Sequence, residues 1–540
     1  ILTTRLIELQ IVRGEQYASL ADKNKTLKKI ILAPRGIIKD RKGEIIAFNK
    51  PFVEKEGSLI SYEDYILSGA VPGYQIVSVR KYVCATPCAS FLGYTSQITQ
   101  DELEKQKAKT STPLSVKDQR GRSGLEEYYD NLLKGSNGYI EYEVSAKGDI
   151  IRELSTSTPE PGLSLVTTID SDLQKFVYQT LKNKILEVGA SAGAVVVQNP
   201  KTGEVLSLVT LPSYDNNIFT AQSSQEQISA LFRDEQTPLL NRAIAGQYPP
   251  GSTYKIVSSI AVLQEDIVKR NERITDTGKI ELSGTTFNNW YYTSYGKTDG
   301  EINVIDALKR SNDIFYYKTI MDLGIEKLEK WSRTMGLGVT TGIDLVGEAK
   351  GLVPNPRWKE EFIKEQWFPG DTVNMSIGQG NLLATPLQVN TYLNIIANKG
   401  KLVIPSMVKE VHDANGKTVC SKNRDTNLWQ GELCQQYNTT SNSHKNLPID
   451  AEHIQTVEDG LIAANARGGT ATPFFDYNIK TAGKTGTSES IPGKNPHAWY
   501  SVYAPINDPV ISITVLVEFG GQGSSVAAPV AKDILDYYFF

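Results

Sequence analysis

Two groups of strand-like segments stand far apart in this chain, and one sheet accounts for both. Ala192 to Gln198 and Val205 to Thr210 are apolar runs joined by the turn Asn199-Pro-Lys-Thr-Gly203. Much later come Tyr477 to Ser488, Ala498 to Ala504 and Val510 to Phe519, with Asn507-Asp-Pro509 marking the second turn. Runs of this length bounded by turn residues read as β-strands. Two early and three late strands predict a five-stranded antiparallel sheet that closes only when both parts of the chain meet. Asp170-Ser-Asp-Leu173 caps a helix to about Val188, with Phe176, Val177, Leu181 and Ile185 on one face. A last helix over about 526–538 returns to the sheet, and the stretch from about 252 to 400 reads as helical. The expected class is α+β, multidomain: a sheet flanked by helices, with an all-helical subdomain inserted between its two sets of strands.

The front of the chain has a different texture. Residues 1–28 carry Leu6, Ile7, Leu9, Ile11 and Val12 at roughly helical spacing, a stalk or an amphipathic first helix. Two apolar stretches flank Asp40-Arg-Lys-Gly43, which reads as a hairpin. Short strands then alternate with one helical stretch at 100–109, and Gly121 to Asp130 reads as a loop leading into a short helix. Thr156 to Pro161 is a boundary by composition. We therefore expect a membrane-proximal segment at 1–28, an elongated β-rich unit at 29–163 and a larger unit at 164–540 with a polar loop insertion at 411–447.

Chemistry is concentrated in an ordered trio: Ser252-Thr-Tyr-Lys255, Ser311-Asn-Asp313 and Lys484-Thr-Gly486. S-x-x-K occurs four times, beginning at Ser78, Ser252, Ser294 and Ser406, and K-T-G twice, at Lys201 and Lys484, so context must select. Ser252 follows Tyr-Pro-Pro-Gly and opens the apolar run Ile256 to Leu263, placing it in a first helical turn where Lys255 shares its face. Ser78 lies in an extended stretch, Ser294 in a polar Tyr- and Gly-rich loop, and Ser406 after a proline; Lys201 sits at a hairpin tip. A serine hydroxyl needs a base. Lys255 serves if burial, the nearby Lys484 and the helix N-terminus lower its pKa. Ser311 relays a proton, and Asp313 of the same motif is a candidate substrate contact. Lys484 with Thr485, Gly486 and Thr487 on an edge strand holds the carboxylate and backbone of an extended acyl peptide, Gly486 leaving room for that backbone. The backbone N–H groups of Ser252 and Thr487 are candidates for an oxyanion hole.

Other chemistries are poorly provided for. Net charge is −4, which gives no footprint for nucleic acid. His412, His444, His453 and His497 form no triad, and we expect no metal and no cofactor. Cys84 and Cys88 lack further ligands for zinc. Cys420 and Cys434 flank a polar segment, where a disulfide and free thiols are both allowed. No apolar run reaches the roughly 18 residues of a membrane span.

These motifs resemble the class B penicillin-binding proteins, peptidoglycan D,D-transpeptidases, over nearly the whole length. The resemblance is carried by Asn241-Arg-Ala, Pro250-Gly-Ser-Thr-Tyr-Lys255, Ser376-Ile-Gly-Gln-Gly380, Thr385-Pro-Leu-Gln388, Gly483-Lys-Thr-Gly-Thr487 and His497-Ala-Trp499. In the front half it is carried by Arg35-Gly-Ile-Ile-Lys-Asp-Arg-Lys-Gly43 and Ser123-Gly-Leu-Glu126, similar to the family's pedestal motifs. It implies a membrane-spanning helix just before Ile1, a pedestal outside the cytoplasm and a penicillin-binding domain above it. It also implies a D-Ala-D-Ala stem peptide as donor, an acyl-enzyme on Ser252, a neighbouring stem's amine as acceptor, and β-lactams that acylate the same serine. A membrane-embedded glycosyltransferase and other elongation proteins would meet the pedestal. Aspartate at 313, where the family usually has asparagine, is similar to the elongation-specific penicillin-binding protein 2 branch. It must be protonated, pair with a lysine, or act as an acceptor. Some members of that branch hold zinc between the first and second motifs, but no Cys or His occurs here from 253 to 310. A D,D-carboxypeptidase, a serine β-lactamase or sensor, and a silent scaffold are the alternatives.

Overall fold

The computed structural model describes the chain apart from residues 1–4, 6, 14–24, 56–57, 63–64, 66–74, 108–112, 146, 221–223, 439–442 and 490. Its central sheet has strands β1 (Ala192–Gln198), β2 (Val205–Leu211), β3 (Ala482–Ser488), β4 (His497–Ala504) and β5 (Ile511–Glu518). Their order is β2-β1-β5-β4-β3, with every pairing antiparallel. Strand β3 starts at Ala482 instead of Tyr477. The preceding residues form a turn in which Tyr477 packs on Phe474 and the Lys480 carbonyl accepts from the Ile506 N–H.

Both faces of the sheet are covered, which is why its inner strands read as continuous apolar runs. Helix α1 (Ser171–Val188) starts where the Asp170 carboxylate accepts from the N–H groups of Asp172 and Leu173, and Gly189 ends it in the left-handed region. Leu173, Val177 and Leu181 of α1 pack with Val195, Val197, Val515 and Val517. The opposite face presents Trp499, Tyr503 and Leu516 to the helical unit. That unit contains α2 (Lys255–Gln264), α3 (Trp290–Tyr295), α4 (Val304–Arg310), α5 (Asp313–Leu323), α6 (Pro386–Ala397) and α7 (Ala451–Asn465). The closing helix α8 (Ala527–Phe539) brings Ile534 and Leu535 to the same core as α1. Ser294, expected in a loop, lies in α3.

A second sheet of eight strands runs across the expected boundary near residue 163. Ser164–Thr167 lies between Ile38–Lys39, which leads on to Ile45–Lys55 with Ser58–Ser61 and Gln75–Tyr82, and Val408–His412, which leads on to Thr418–Lys422 and then Trp429–Gln430. The segment expected as a polar loop at 411–447 is therefore corrected: its described part carries strands of this sheet, followed by a 3-10 turn at Glu432–Tyr437. The Cys420–Cys434 disulfide and the buried Val411 and Trp429 hold it in place. Buried Asp344 fastens the junction, accepting from the Tyr129 hydroxyl, the N–H groups of Met407 and Val408, and Lys422 Nζ.

In the front unit, a helix at Ala85–Leu92 went unread in the sequence, and Cys84 is bonded to Cys88 within its start. The expected helix over 1–28 lies largely outside the described residues; Leu27 belongs to the strand Thr26–Ile31. The two front-half motifs meet in an ion cluster. Glu126 is wholly buried and receives Arg35 Nε at 2.6 Å and Arg80 Nε at 2.7 Å, while Arg35 also reaches Asp130 at 2.7 Å. Removing one partner strands the others without compensation. We expect Glu126→Ala to lower the stability of this unit by about 3–5 kcal/mol, read from denaturant unfolding against the parent.

Candidate active site

The first motif forms where the chain turns on Gly251, whose φ is 56°, and enters the 3-10 turn Gly251–Tyr254 that continues as α2. Only glycine suits that turn: a Cβ on Gly251 would lie 2.8 Å from the Thr487 carbonyl oxygen. Ser252 is half-buried at the head of the helix, and its hydroxyl has no hydrogen-bond partner among the described residues. One turn on, Lys255 is fully buried.

Ser311 ends α4 at φ 52°, in the left-handed region, and α5 starts two residues later. That sharp junction turns the second motif toward Lys255. Lys255 Nζ donates to Asp313 Oδ1 at 2.6 Å and to the Ser311 carbonyl at 2.8 Å, with the Ser311 hydroxyl at 3.4 Å. The other Asp313 oxygen accepts from the Trp290 N–H at 3.0 Å. Of the three roles left open for Asp313, this geometry selects the pairing with lysine.

Lys484 stands on β3, the edge strand, fully buried. Its Nζ lies 2.8 Å from Ser311 Oγ and 3.0 Å from the Thr485 carbonyl. Ser311 thus bridges two buried lysines, one of which, Lys255, is paired with the Asp313 carboxylate. Burial pulls the Lys255 pKa down, and Asp313 pulls it back up. Lys484 is pushed well below the usual lysine range, first by burial, then by the charge of Lys255, with Asp313 opposing. The Lys255 pKa is lowered, as expected, with burial the leading cause, and of the two lysines only Lys255 touches the carboxylate.

Strand β3 positions the remaining third-motif residues. The space beside Gly486 differs from expectation. A Cβ there would meet Thr253 Cγ2 at 2.9 Å and the Pro250 carbonyl at 3.1 Å, so what approaches is the protein's own turn at Pro250 to Thr253. The Thr485 hydroxyl pairs with Thr470 Oγ1 at 2.8 Å. The Thr487 carbonyl faces Gly251 and accepts from Gln379 Nε2 at 3.4 Å. Along an antiparallel strand a residue's N–H points to the same side as its carbonyl, so the Thr487 N–H faces the head of α2. The Ser252 N–H, in a first helical turn, has no acceptor among the described residues.

Several supporting residues were missed or carried only by the resemblance. Gly378, at φ 76°, accepts from the Gly251 N–H through its carbonyl, and a Cβ on it would sit 2.1 Å from the Gly251 oxygen. Buried Asp276 accepts from Asn289 Nδ2, Asn312 Nδ2 and the N–H groups of Gly278 and Asp299. Asn289 in turn accepts from the Asp313 N–H. No sequence signal singles out Asp276, since its partners come from four separate turns. His497 is buried, accepts from the Phe519 N–H and has a pKa lowered by burial, as a structural residue would. Among the described residues no group of three or more His, Cys, Asp and Glu suits a metal ion.

Comparison with known proteins points one way. A model described as the penicillin binding protein transpeptidase domain matches residues 193–536, and one described as the penicillin-binding protein dimerisation domain matches 58–167. The peptidoglycan D,D-transpeptidase MrdA of Haemophilus influenzae is 31% identical over 609 aligned residues, covering 100% of this chain and 89% of that protein. MrdA of Escherichia coli K12 is 30% identical, covering 99% of this chain and 91% of that protein. A crystal structure of Pseudomonas aeruginosa PBP2 with WCK 5153 is 29% identical with TM-score 0.76, covering 95% of this chain and 97% of that one. Helicobacter pylori PBP2, in complex with MreC, is 25% identical with TM-score 0.76, covering 95% of this chain and 100% of that one.

Proposed function

The chain belongs to the penicillin-binding protein transpeptidase family and is a peptidoglycan D,D-transpeptidase of the penicillin-binding protein 2 kind; from that premise we propose how its residues divide the reaction. Ser252 attacks the D-Ala-D-Ala carbonyl of a donor stem peptide and becomes acylated as the terminal D-Ala leaves. An amine of a neighbouring stem then takes the acyl group and Ser252 recovers its proton. The observation that carries this reading is the Ser311 bridge between Lys255 and Lys484. Lys255, held as an ammonium against Asp313, stabilises the serine oxyanion as it forms. The proton passes through Ser311 to Lys484 and returns by the same path to the leaving amine, departing with D-Ala; in the second half the acceptor amine gives up a proton along that path, and it goes to Ser252 as the ester breaks. Backbone N–H groups of Ser252 and Thr487 receive the tetrahedral oxyanion. The free edge of β3 at Thr485 and Thr487 pairs with the donor backbone, and the Thr487 hydroxyl lies where the terminal carboxylate would arrive. Asp313 acts through Lys255 and so positions charge instead of contacting the peptide.

The same serine is acylated by β-lactams in this reading. The test is intact-mass analysis after benzylpenicillin, followed by peptide mapping. One long-lived adduct on the peptide containing Ser252 is expected. Rapid release of the opened lactam would favour a β-lactamase instead, and an adduct elsewhere would remove Ser252 from the reading.

Two structural features bear on place and partners. The disulfides Cys84–Cys88 and Cys420–Cys434 suit an oxidising compartment outside the cytoplasm. No helix among the described residues is long and apolar enough to cross a membrane. We place the catalytic unit on the outer side of a cell membrane, held by an anchor. By likeness to the PBP2–MreC complex and to a peptidoglycan synthase complex, the front unit receives other proteins of wall synthesis, a membrane-embedded glycosyltransferase among them.

A further inference from the structure

Helix α3 presents an aromatic face at the mouth of the site that the acyl-transfer reading leaves unused. Tyr295 is 64% exposed, Tyr292 37% and Trp290 36%. Trp290, Tyr291 and Tyr295 form one cluster, with ring centroids 5.6, 5.4 and 6.4 Å apart. The cluster is held from behind. Arg310 lies over the Tyr291 ring at 4.7 Å, its carbonyl accepts from Trp290 Nε1 at 3.0 Å, and its guanidinium is fixed by Asp299 at 2.9 Å. The face is continuous with the catalytic cluster, since the Trp290 N–H is the donor to Asp313.

Exposed aromatic surface of this kind marks a binding face. Its chemistry is mixed: among the described residues the hydroxyls of Tyr291, Tyr292 and Tyr295 have no hydrogen-bond partner. A purely apolar partner would desolvate those hydroxyls without replacing their hydrogen bonds with water, which costs free energy. A pyranose ring suits both features, with axial C–H groups for the ring faces and hydroxyls for the polar rims. We propose that α3 is a saccharide subsite, which seats the glycan chain bearing a stem peptide beside the active serine. The proposal rests on the transpeptidase reading above and names a further part of that enzyme's substrate.

The test compares two substrates carrying the same stem peptide, one free of sugar and one attached to uncross-linked glycan chains. Tyr295→Ala should lower kcat/KM on the glycan-borne substrate by about fivefold and leave the free peptide unchanged within error. Tyr295→Phe should keep most of the glycan-borne activity. Titration with glycan chains stripped of stem peptides should show saturable binding that Tyr295→Ala weakens. Equal losses on both substrates would assign Tyr295 a structural role and overturn the subsite. So would no loss on either, or binding to phospholipid vesicles in place of glycan. Benzylpenicillin acylation is measured alongside. Failure to acylate Ser252 in the parent would sink the active-site reading itself, whereas normal acylation without a substrate split sinks only the subsite.

Discussion

Ser252→Ala should bring benzylpenicillin acylation and D,D-transpeptidation down by about 10⁵-fold or more, with the folded protein otherwise intact. The two halves of that expectation have separate causes. In the proposed reading this hydroxyl forms the acyl ester, and neither buried lysine can stand in for an oxygen that is expelled again when the acceptor amine attacks. Yet the same hydroxyl supports nothing in the fold. Lys255–Asp313, Lys255–Ser311 and Lys484–Ser311 are joined without it. Removing one half-exposed, unbonded hydroxyl should move stability by no more than about 0.5 kcal/mol. Adduct mass and unfolding midpoint, taken on one preparation, check both halves. Residual acylation within tenfold of the parent would place the nucleophile elsewhere.

Lys484→Arg should cost about 10²–10⁴ in the acylation rate, the range for losing a general base, and remove the pH dependence that the lysine supplies. In the parent, kcat/KM should rise with pH as Lys484 loses its proton, at a pH well below the usual lysine value of 10.5. Arginine keeps the charge and never deprotonates in this range, so its profile should lack that limb. A variant that retains the limb would assign it to Lys255 instead. Stability follows the same linkage. The folded pKa lies below the unfolded one, so the unfolded chain holds the extra proton between the two values. Lys484 therefore destabilises the fold at low pH, and stability recovers as pH rises toward 10.5. Lys484→Met should flatten that slope.

How much of this could be read in advance varied by element. The five-stranded sheet was legible because β1 and β5 lie between two covered faces and so are rich in buried apolar residues. Helix α1 was legible through its Asp170 cap and apolar stripe. The strands at 408–430 were not, because Thr418–Lys422 is polar and gains its place only from pairing with Val408–His412. The overrun at Tyr477 has a similar origin: aromatic residues raise strand propensity, but Phe474 and Tyr500 claim that ring neighbourhood for a turn. In the site, the structure brings Lys255, Ser311, Asp313 and Lys484 of the three motifs into contact. What the motifs could not give was the sharing of charge. That depends on which lysine reaches Asp313, a matter of side-chain contact across helices far apart in the chain. Gly486 likewise signalled a close approach without saying whose backbone arrives.

The sheet order carries a consequence for synthesis of the protein. β1 pairs with β5, and the head of α2 packs against β3, so Ser252 and Lys255 are made long before the strands that complete their surroundings. Pairings so distant in sequence form late and slowly. A nascent chain on the ribosome, or one truncated before Ala482, therefore carries Ser252 and Lys255 while lacking Lys484 and Thr487. Such a chain should ignore penicillin. Reactivity toward a fluorescent β-lactam then serves as a completion signal, lighting only molecules translated nearly to their last helix and closed upon themselves.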